Sequence, residues 1–510
     1  MDITRFNQVV ALADFAREVQ RCEFCAVDQE MTGVDVPGVT APFGSPPEDV
    51  YRVKRIAVEA YNAFQIGIAL FTKTDTDTYE VRPYNFYLLN DAGDLRLSLS
   101  AISFLAANHM NFQTWLTSGL SFCDAHQEAT FDAKHDAPFT NEAEQRLADD
   151  VVKAADEWFS TETAPLVRTL PCSTDLARRL HGYIGRHYDF RIVASFDGKP
   201  SLAQKLEFTL TKLDDVAWAA EKEKRLVQGE RDRARQLGFR QFWKILVSSK
   251  KPIVGHNFMQ DVMFMIHMHE TPLPTPYADF KALLQRTLPT IYDTKTMATT
   301  LAGDNAFQVT HLGFLYQECR RRAGLSRDDF SRQYRLPPGF YSYNDYAVQL
   351  QSKAHEAAYD AYMTGIAYTL LHRMYPGAFA ELRNVISAFG SVHYFCVDTA
   401  DRLISPNTFI LECTCPAYNE QVEALFFATE DTAACTAESG KVDLKKLSYH
   451  ISGLSASADA KKFTSFCVRM KGDTTAQELH SRLQSLRNKK LPNETHVDLA
   501  LLDCISVRTP

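Results

Sequence analysis

Short apolar runs alternate along this chain with longer segments in which apolar side chains recur every three or four positions. The short runs predict buried strands, and the longer segments predict amphipathic helices. A helix over 5–20 precedes three strands, at EFCAVDQEM, AFQIGIALFT and VRPYNFYLL, which predict an antiparallel meander. Strands at KPIVGHN and LPTIYDT then alternate with helices over 257–268, 310–322 and 355–374. This order is typical of an α/β fold.

The alternation is interrupted over 141–235, where highly charged helices surround two strand-like pieces, FRIVASF and LEFTLTKL. This segment predicts a small α+β domain inserted into the first one. Residues 1–140 and 236–420 then form one core, in two parts. Residues 421–510 read as a separate C-terminal α/β domain.

The composition is that of an ordinary globular protein, with 510 residues, 45% hydrophobic and 23% charged. A net charge of −8 excludes a passive nucleic-acid coat, so any nucleic-acid contact is local. The 11 cysteines are scattered, which predicts structural thiols in a reducing compartment, the cytoplasm and also the nucleus. The sequence shows no signal-peptide core and no apolar run of the roughly 18 residues that a membrane span needs.

Acidic residues in apolar surroundings carry the candidate chemistry. Asp28 and Glu30 lie two apart on a predicted strand, so both side chains point to one face. The alternative is a strand emerging into solvent, but FCAV before Asp28 is too apolar for that. Asp261 falls about one turn into a helix with apolar neighbours. It is either a ligand or an exposed aspartate near a helix N-terminus.

His355 and Asp360 are five residues apart. In one continuous helix they would project about 140° apart, so they can converge only if His355 lies on the segment that enters the helix. The alternative for His355 is a cap or a surface residue. Buried carboxylates need a cationic partner, which indicates divalent metal ions where the segments meet, and hence phosphodiester hydrolysis.

The order of D-x-E, then G-H-N followed by Asp, then H-x4-D resembles the DEDD superfamily of 3′-to-5′ exonucleases in its histidine-bearing subclass. The stretches MDITRFNQVV, FQIGIALF, YNFYLLN, AISFLAANHMNFQTWLTSGL, GFRQFWKILVSSKKPIVGHNFMQDVM and IYDTKTMA look like the poly(A)-specific ribonuclease, or deadenylase, family. The resemblance covers about 1–140 and 236–420. It implies a ribonuclease H-like core with a mixed central sheet flanked by helices.

The resemblance also implies residue roles. Asp28, Glu30, Asp261 and Asp360 would hold two Mg²⁺ ions, for which Mn²⁺ substitutes, and His355 would be the general base. Lys295 matches a phosphate-contacting position, and Val34 and Phe112 match positions along the adenine path. The alternative for Lys295 is a lysine on the surface, and the alternative for Val34 and Phe112 is packing in the core. Asp293 is predicted to be either a helix N-cap or a carboxylate that supports the ligand residues, and not a ligand itself.

In that family the insert binds single strands. Here its basic helix would present Arg178, Arg179, Arg186 and His187, either to nucleic acid or to solvent. The family's C-terminal domain is of the RNA-recognition type and stacks the 7-methylguanosine cap on a tryptophan. None of the four tryptophans lies beyond residue 250, so cap binding stays open.

The expected activity is therefore Mg²⁺-dependent removal of 3′ poly(A) or oligo(A) tails with release of 5′-AMP, by a homodimer without membrane contact. The alternatives are trimming of small non-coding RNA 3′ ends, trimming of DNA, and RNA binding without catalysis. The last is disfavoured because all five catalytic positions hold competent residues.

Overall fold

A computed structural model describes most of the chain. The described residues are 1–41, 44–90, 94–135, 139, 141–161, 166–170, 176, 179–180, 183, 192–197, 206–301, 305–307, 309–340, 355–388, 390–404, 407–429, 449–456, 462–470, 474–488 and 498–509. Of the predicted basic helix, Arg178, Arg186 and His187 lie outside the described residues.

The strands, in chain order, are β1 Asp2–Ile3, β2 Phe24–Met31, β3 Ala63–Asp75, β4 Thr78–Tyr87, β5 Leu166–Leu170, β6 Ile192–Asp197, β7 Leu206–Lys212, β8 Ile253–Gly255, β9 Ile291–Asp293, β10 Tyr334–Arg335, β11 Val385–Ser387, β12 His393–Cys396, β13 Arg402–Leu403, β14 Thr408–Tyr418, β15 Tyr449–Ala456, β16 Lys462–Met470 and β17 Ile505–Arg508.

The α-helices are α1 Gln8–Arg21, α2 Pro47–Ala60, α3 Leu99–Ala107, α4 Phe112–Ser118, α5 Ala125–His135, α6 Glu142–Thr161, α7 Asp215–Leu237, α8 Arg240–Ser249, α9 Met259–His269, α10 Tyr277–Thr287, α11 Thr294–Thr300, α12 Leu312–Arg322, α13 Arg327–Gln333, α14 Ala357–Met374, α15 Asn419–Thr429 and α16 Ala476–Gln484.

The central sheet runs in the order β1-β4-β3-β2-β8-β9, and β10 pairs with β4 at its side. The meander β2-β3-β4 is antiparallel, as its three apolar runs predict, whereas β8 joins β2 and β9 joins β8 in parallel. The predicted α/β core with a mixed central sheet flanked by helices is confirmed. The carboxyl ends of β2, β8 and β9 reach the same edge of this sheet.

Helix α14 is the element that covers the sheet, and most of its residues are buried against β2 and β3. A helix that is apolar on nearly all sides is expected in such a place. Gly365 permits the close approach, because a Cβ atom there would come within 2.1 Å of the Phe71 ring. The N-terminus of α14 is thereby held over the carboxyl end of β2.

A second compact unit comprises Ser121–Gln241, which is longer at both ends than the predicted insert of 141–235. It contains α5, α6, α7 and the antiparallel sheet β5-β7-β6. Arg240 forms an ion pair with Glu128 inside this unit, which ties its two ends together. Arg179 was expected on a basic face. Its guanidinium forms a bidentate ion pair with the Glu144 carboxylate.

The C-terminal sheet corrects the predicted boundary at residue 420. Strand β14, assigned to the nuclease core from its apolar pattern, pairs with β16 and β17 in the order β15-β16-β14-β17. The C-terminal fold therefore begins by Thr408. Local pattern could not show this, because the partners of β14 lie far along the chain. Residues 499–503 form a 3₁₀ helix before β17.

Among the helices of the described residues, none combines the length and apolar character that a membrane crossing requires.

Candidate active site

Asp28 and Glu30 stand on one face of β2, next to the strand's carboxyl end. Opposite them on β3 are Gly67, paired with Asp28, and Gln65, paired with Glu30. Because side chains alternate along a strand, the intervening Gln29 points to the other face. There its Nε2 donates to the carbonyl oxygen of Asp261 at 2.8 Å, which anchors the first turn of α9 to β2.

The start of α14 is fixed by β3. Gln65 Oε1 accepts a hydrogen bond from the backbone N–H of Ala357 at 2.9 Å, which supplies a partner that the N-cap residue does not provide. Gly67 leaves the space for this contact, because a Cβ atom there would lie 2.0 Å from the Ala357 carbonyl oxygen. Asp360 then falls in the first turn of the helix, facing β2.

His355 precedes α14 and has a backbone φ of 66°, in the left-handed region. The helix does not include it, so the 140° separation that a continuous helix would impose does not apply. One ligand atom from each of Glu30, His355 and Asp360 lies within 4.8 Å of the other two. Within the described part of the chain, Asp360 Oδ1 is buried and has no hydrogen-bond partner.

The electrostatics show that Asp28 and Asp261 belong to the same cluster. Desolvation, followed by the charges of Asp360 and Asp261, raises the pKa of Asp28 and that of Glu30 well above their usual ranges. Desolvation also raises the pKa of Asp261 to about 8 and that of Asp360 to about 7. Carboxylates that repel one another in this way are stabilised by a cation among them.

Asp293, at the end of β9, holds the loop that leads to Asp261. Its carboxylate accepts hydrogen bonds from five backbone N–H groups, at 2.8 to 3.2 Å, namely those of Asn257, Phe258, Lys295, Thr296 and Ser387. It caps α11 through the Lys295 and Thr296 amides, so the predicted N-cap is confirmed. All its lone pairs are directed at the protein, which leaves it no capacity as a metal ligand.

A profile of the CAF1 family ribonucleases matches residues 3–368, most of the chain. The chain belongs to the CAF1 family of ribonucleases. The match confirms the ribonuclease that the resemblance of the motifs and their flanking stretches implied.

Individual relatives of this CAF1 family ribonuclease are distant. The poly(A)-specific ribonuclease PARN of Homo sapiens is 24% identical over 448 residues, 80% of this chain and 65% of the relative. The pre-piRNA 3′-exonuclease trimmer of Bombyx mori is 23% identical over 391 residues, 73% of this chain and 71% of that protein. The chain thus spans less than two thirds of the length of PARN.

Solved structures give a weaker likeness. S. pombe Pop2p, in its Mg²⁺- and Mn²⁺-bound form, aligns with 76% of this chain and 98% of its own, at 13% identity and a TM-score of 0.39.

The three predicted substrate contacts of this CAF1 family ribonuclease occupy different surroundings. Lys295 follows Asp293, and burial lowers the pKa of its ammonium group while Asp293 opposes the shift. Val34, in the loop after β2, is 47% exposed, and its carbonyl oxygen accepts from Gln260 on α9. Phe112 packs partly buried against Trp115, which favours the core-packing alternative for its ring.

Sequence reasoning missed the residues that position this site. Gln65 and Gly67 interrupt an otherwise apolar strand, and that interruption was the available signal. Phe104 on α3 is 46% exposed, and the centroids of its ring and of the His355 ring lie 4.6 Å apart in an edge-on arrangement. The sequence held no sign of this contact, because it joins segments about 250 residues apart.

Proposed function

We propose that this protein is a divalent-metal-dependent 3′-to-5′ exoribonuclease that removes poly(A) tails and releases 5′-AMP. The observation that carries the proposal is the convergence of Glu30, His355 and Asp360 within 4.8 Å, beside Asp28 and Asp261. Family membership supplies the nuclease chemistry. The poly(A) preference rests on the likeness to PARN and on the matched positions Val34 and Lys295.

The residues of the site fit a divalent cation. Carboxylate oxygens are the ligands that Mg²⁺ and Mn²⁺ prefer, and the buried Oδ1 of Asp360 lacks a partner among the described residues. Two ions held by Asp28, Glu30, Asp261 and Asp360 are part of the proposal. When bound, such ions lower the pKa of water and stabilise negative charge on phosphate oxygens.

His355 is assigned the role of general base. Desolvation lowers the pKa of its imidazole, so the ring is neutral at pH 7 and can accept a proton from the attacking water. It lies beside Glu30 and Asp360 but remains exposed, which lets the accepted proton pass on to solvent. Its place on the segment before α14, and not in the helix, allows the ring to approach the carboxylates.

Substrate positioning is assigned to Lys295 and Val34. Lys295 would contact a phosphate through its ammonium group, and the fixed carboxylate of Asp293 holds its backbone in place. Val34 would pack against the terminal adenine. The corresponding role of Phe112 stays a prediction from the resemblance.

The test is product analysis on a 5′-labelled RNA that ends in an oligo(A) tract. We expect stepwise shortening with release of 5′-AMP in Mg²⁺ and no reaction in EDTA. Asp28→Asn should abolish cleavage with the fold retained, whereas the exposed Asp75→Asn serves as a matched control with full activity. A wild-type protein that releases no 5′-AMP with Mg²⁺ present contradicts the proposal.

Trimming of small-RNA 3′ ends is the second candidate, which the likeness to the pre-piRNA trimmer favours. The two functions differ in base preference, so the same assay with A-, U- and C-tailed RNAs separates them. Equal rates on all three would end the poly(A) assignment in favour of a general trimming enzyme. A DNA oligonucleotide of the same sequence tests the preference for ribose, and light scattering tests the predicted homodimer.

A further inference from the structure

A pocket of about 380 Å³ lies at the end of the central sheet away from the acidic cluster. It is bounded by the amino end of β2, the turn between β3 and β4, and the C-terminal half of α14. Its lining includes Glu23, Phe24, Asp77, Tyr79, Tyr368 and Arg373. Tyr368 follows Asp360 by eight residues of helix, a rise of about 12 Å, so the pocket and the proposed active site are separate.

The walls of this pocket are aromatic. Phe24 is 4% exposed, and the ring of Tyr368 packs against it with centroids 4.8 Å apart and planes at 61°. The centroid of the Tyr79 ring lies 6.4 Å from that of the Phe24 ring. The two tyrosines remain partly exposed. They offer ring faces and hydroxyl groups to a flat ligand.

The charge at the rim is negative. Glu23 and Asp77 are exposed, and neither forms an ion pair within the part of the chain that the structure describes. Burial, and then the charges of Glu23 and Asp77, raise the pKa of Tyr79 to about 12. Among the described residues that line the pocket, the guanidinium is that of Arg373, which donates to Gln333 Oε1 at 3.1 Å. Among the lining residues, the two carboxylates therefore outnumber the one guanidinium.

This combination selects a class of ligand. A nucleotide or RNA backbone is disfavoured, because its phosphates would meet Glu23 and Asp77. A cation is favoured by the carboxylates and by the faces of Tyr79 and Tyr368. A guanidinium is planar, can stack on an aromatic ring and donates two parallel hydrogen bonds to a carboxylate, whereas an ammonium group does neither as well.

We propose that this pocket binds an arginine side chain of a protein partner. The guanidinium lies between Tyr79 and Tyr368 and donates to Glu23 and Asp77, and the aliphatic part of the side chain packs over Phe24. The pocket has room for one such side chain together with its flanking backbone. Binding here leaves the acidic cluster at the other end of α14 open to RNA.

The test uses isothermal titration calorimetry of the full chain with three peptides that differ in one group. They are acetyl-Gly-Arg-Gly-amide, the same peptide with lysine, and the same peptide with citrulline, the neutral isostere of arginine. We expect the arginine peptide to bind at least tenfold more tightly than the citrulline peptide and more tightly than the lysine peptide. The affinity should fall as salt rises, because both carboxylates are exposed.

Charge-neutral variants locate the binding. The double variant Glu23→Gln, Asp77→Asn should bind the arginine peptide at least tenfold more weakly. The variant Asp75→Asn, on the same hairpin but outside the pocket, should bind it with unchanged affinity. All three substitutions should leave oligo(A) cleavage unaffected, so the outcome is independent of the proposed nuclease function. Equal binding of the arginine and citrulline peptides, no effect of the double variant, or displacement of the peptide by 5′-AMP would each overturn the proposal.

Discussion

Gly67 on β3 lies directly against the backbone of Ala357, the first residue of α14. Gly67 is also the strand partner of Asp28, so one residue without a side chain joins the two elements that carry the acidic cluster. Gln65, two positions earlier, caps the same helix through the Ala357 amide. The position of Asp360 relative to Asp28 is therefore set by β3, which contributes no acidic residue of its own to the site.

Gly67→Ala should displace the start of α14, because the added Cβ would meet backbone atoms that no side-chain rotation can move. We expect a loss of activity of at least tenfold and a loss of stability of about 1–3 kcal/mol, as for an overpacked site. Gly229→Ala is the matched control, since a Cβ there meets nothing within 4 Å and alanine favours the helix. Urea unfolding and the oligo(A) assay measure the two effects. Full activity in Gly67→Ala would show that this contact does not position Asp360.

Asp261→Asn should stabilise the metal-free protein, because it removes a carboxylate whose charged form is disfavoured by desolvation and which repels Asp28. Wild-type protein should instead gain stability with Mg²⁺, by about 2.7 kcal/mol at a concentration one hundred times the Kd. In the variant this gain should shrink and activity should be lost. Thermal unfolding in EDTA and in Mg²⁺ measures both. Equal Mg²⁺ shifts in the two proteins would exclude Asp261 as a ligand.

Asp293→Asn should destabilise the fold, since an amide nitrogen cannot accept the hydrogen bonds that one carboxylate oxygen, such as the Oδ2 bonded by Phe258 and Ser387, now receives. At least two backbone N–H groups would lose their partner, at roughly 1–3 kcal/mol for each buried donor. The measurement is the free energy of unfolding in urea. Asp279→Asn, in the first turn of α10, provides a control whose stability should change little. A variant as stable as the wild type would rule out Asp293 as the residue that holds this loop.

His256 should make the free energy of unfolding depend on pH in the acidic range. Desolvation, then the nearby Lys295 charge, lowers the pKa of its imidazole to about 3, well below 6.5. The unfolded chain therefore binds a proton first as pH falls, so the stabilisation is complete above pH 6.5 and is lost between pH 6.5 and 3. The slope contributed is at most about 1.4 kcal/mol per pH unit. His256→Gln should show a shallower fall between pH 6.5 and 4.5 in urea unfolding. Parallel curves for the two proteins would contradict this assignment.

Phe104→Ala should lower activity more than stability. The Phe104 ring is 46% exposed and contacts the edge of His355, so its loss frees the imidazole without opening a core cavity. We expect a lower kcat and a shifted pH–rate profile with an almost unchanged melting temperature. Leu99→Ala, on the same helix and 79% exposed, should change neither. An unaltered pH–rate profile in Phe104→Ala would mean that Phe104 does not position the imidazole.

Much of the candidate site was accessible from local sequence. Alternation along β2 put Asp28 and Glu30 on one face, and helical geometry required His355 to precede the helix that carries Asp360, which begins at Ala357. The antiparallel meander also followed from its three apolar runs. These inferences hold because a side chain's direction within one element depends on backbone periodicity alone.

Tertiary structure decided what depends on contacts between distant segments. Strand β14 belongs to the C-terminal sheet and not to the predicted core. It pairs there with β16 and β17, which lie far along the chain. The contacts among β3, α3 and the start of α14 also give roles to Gln65, Gly67 and Phe104. The sequence by itself determined which residues could do the chemistry and which way each faces within its element. The distances among them came from packing, which no local periodicity encodes.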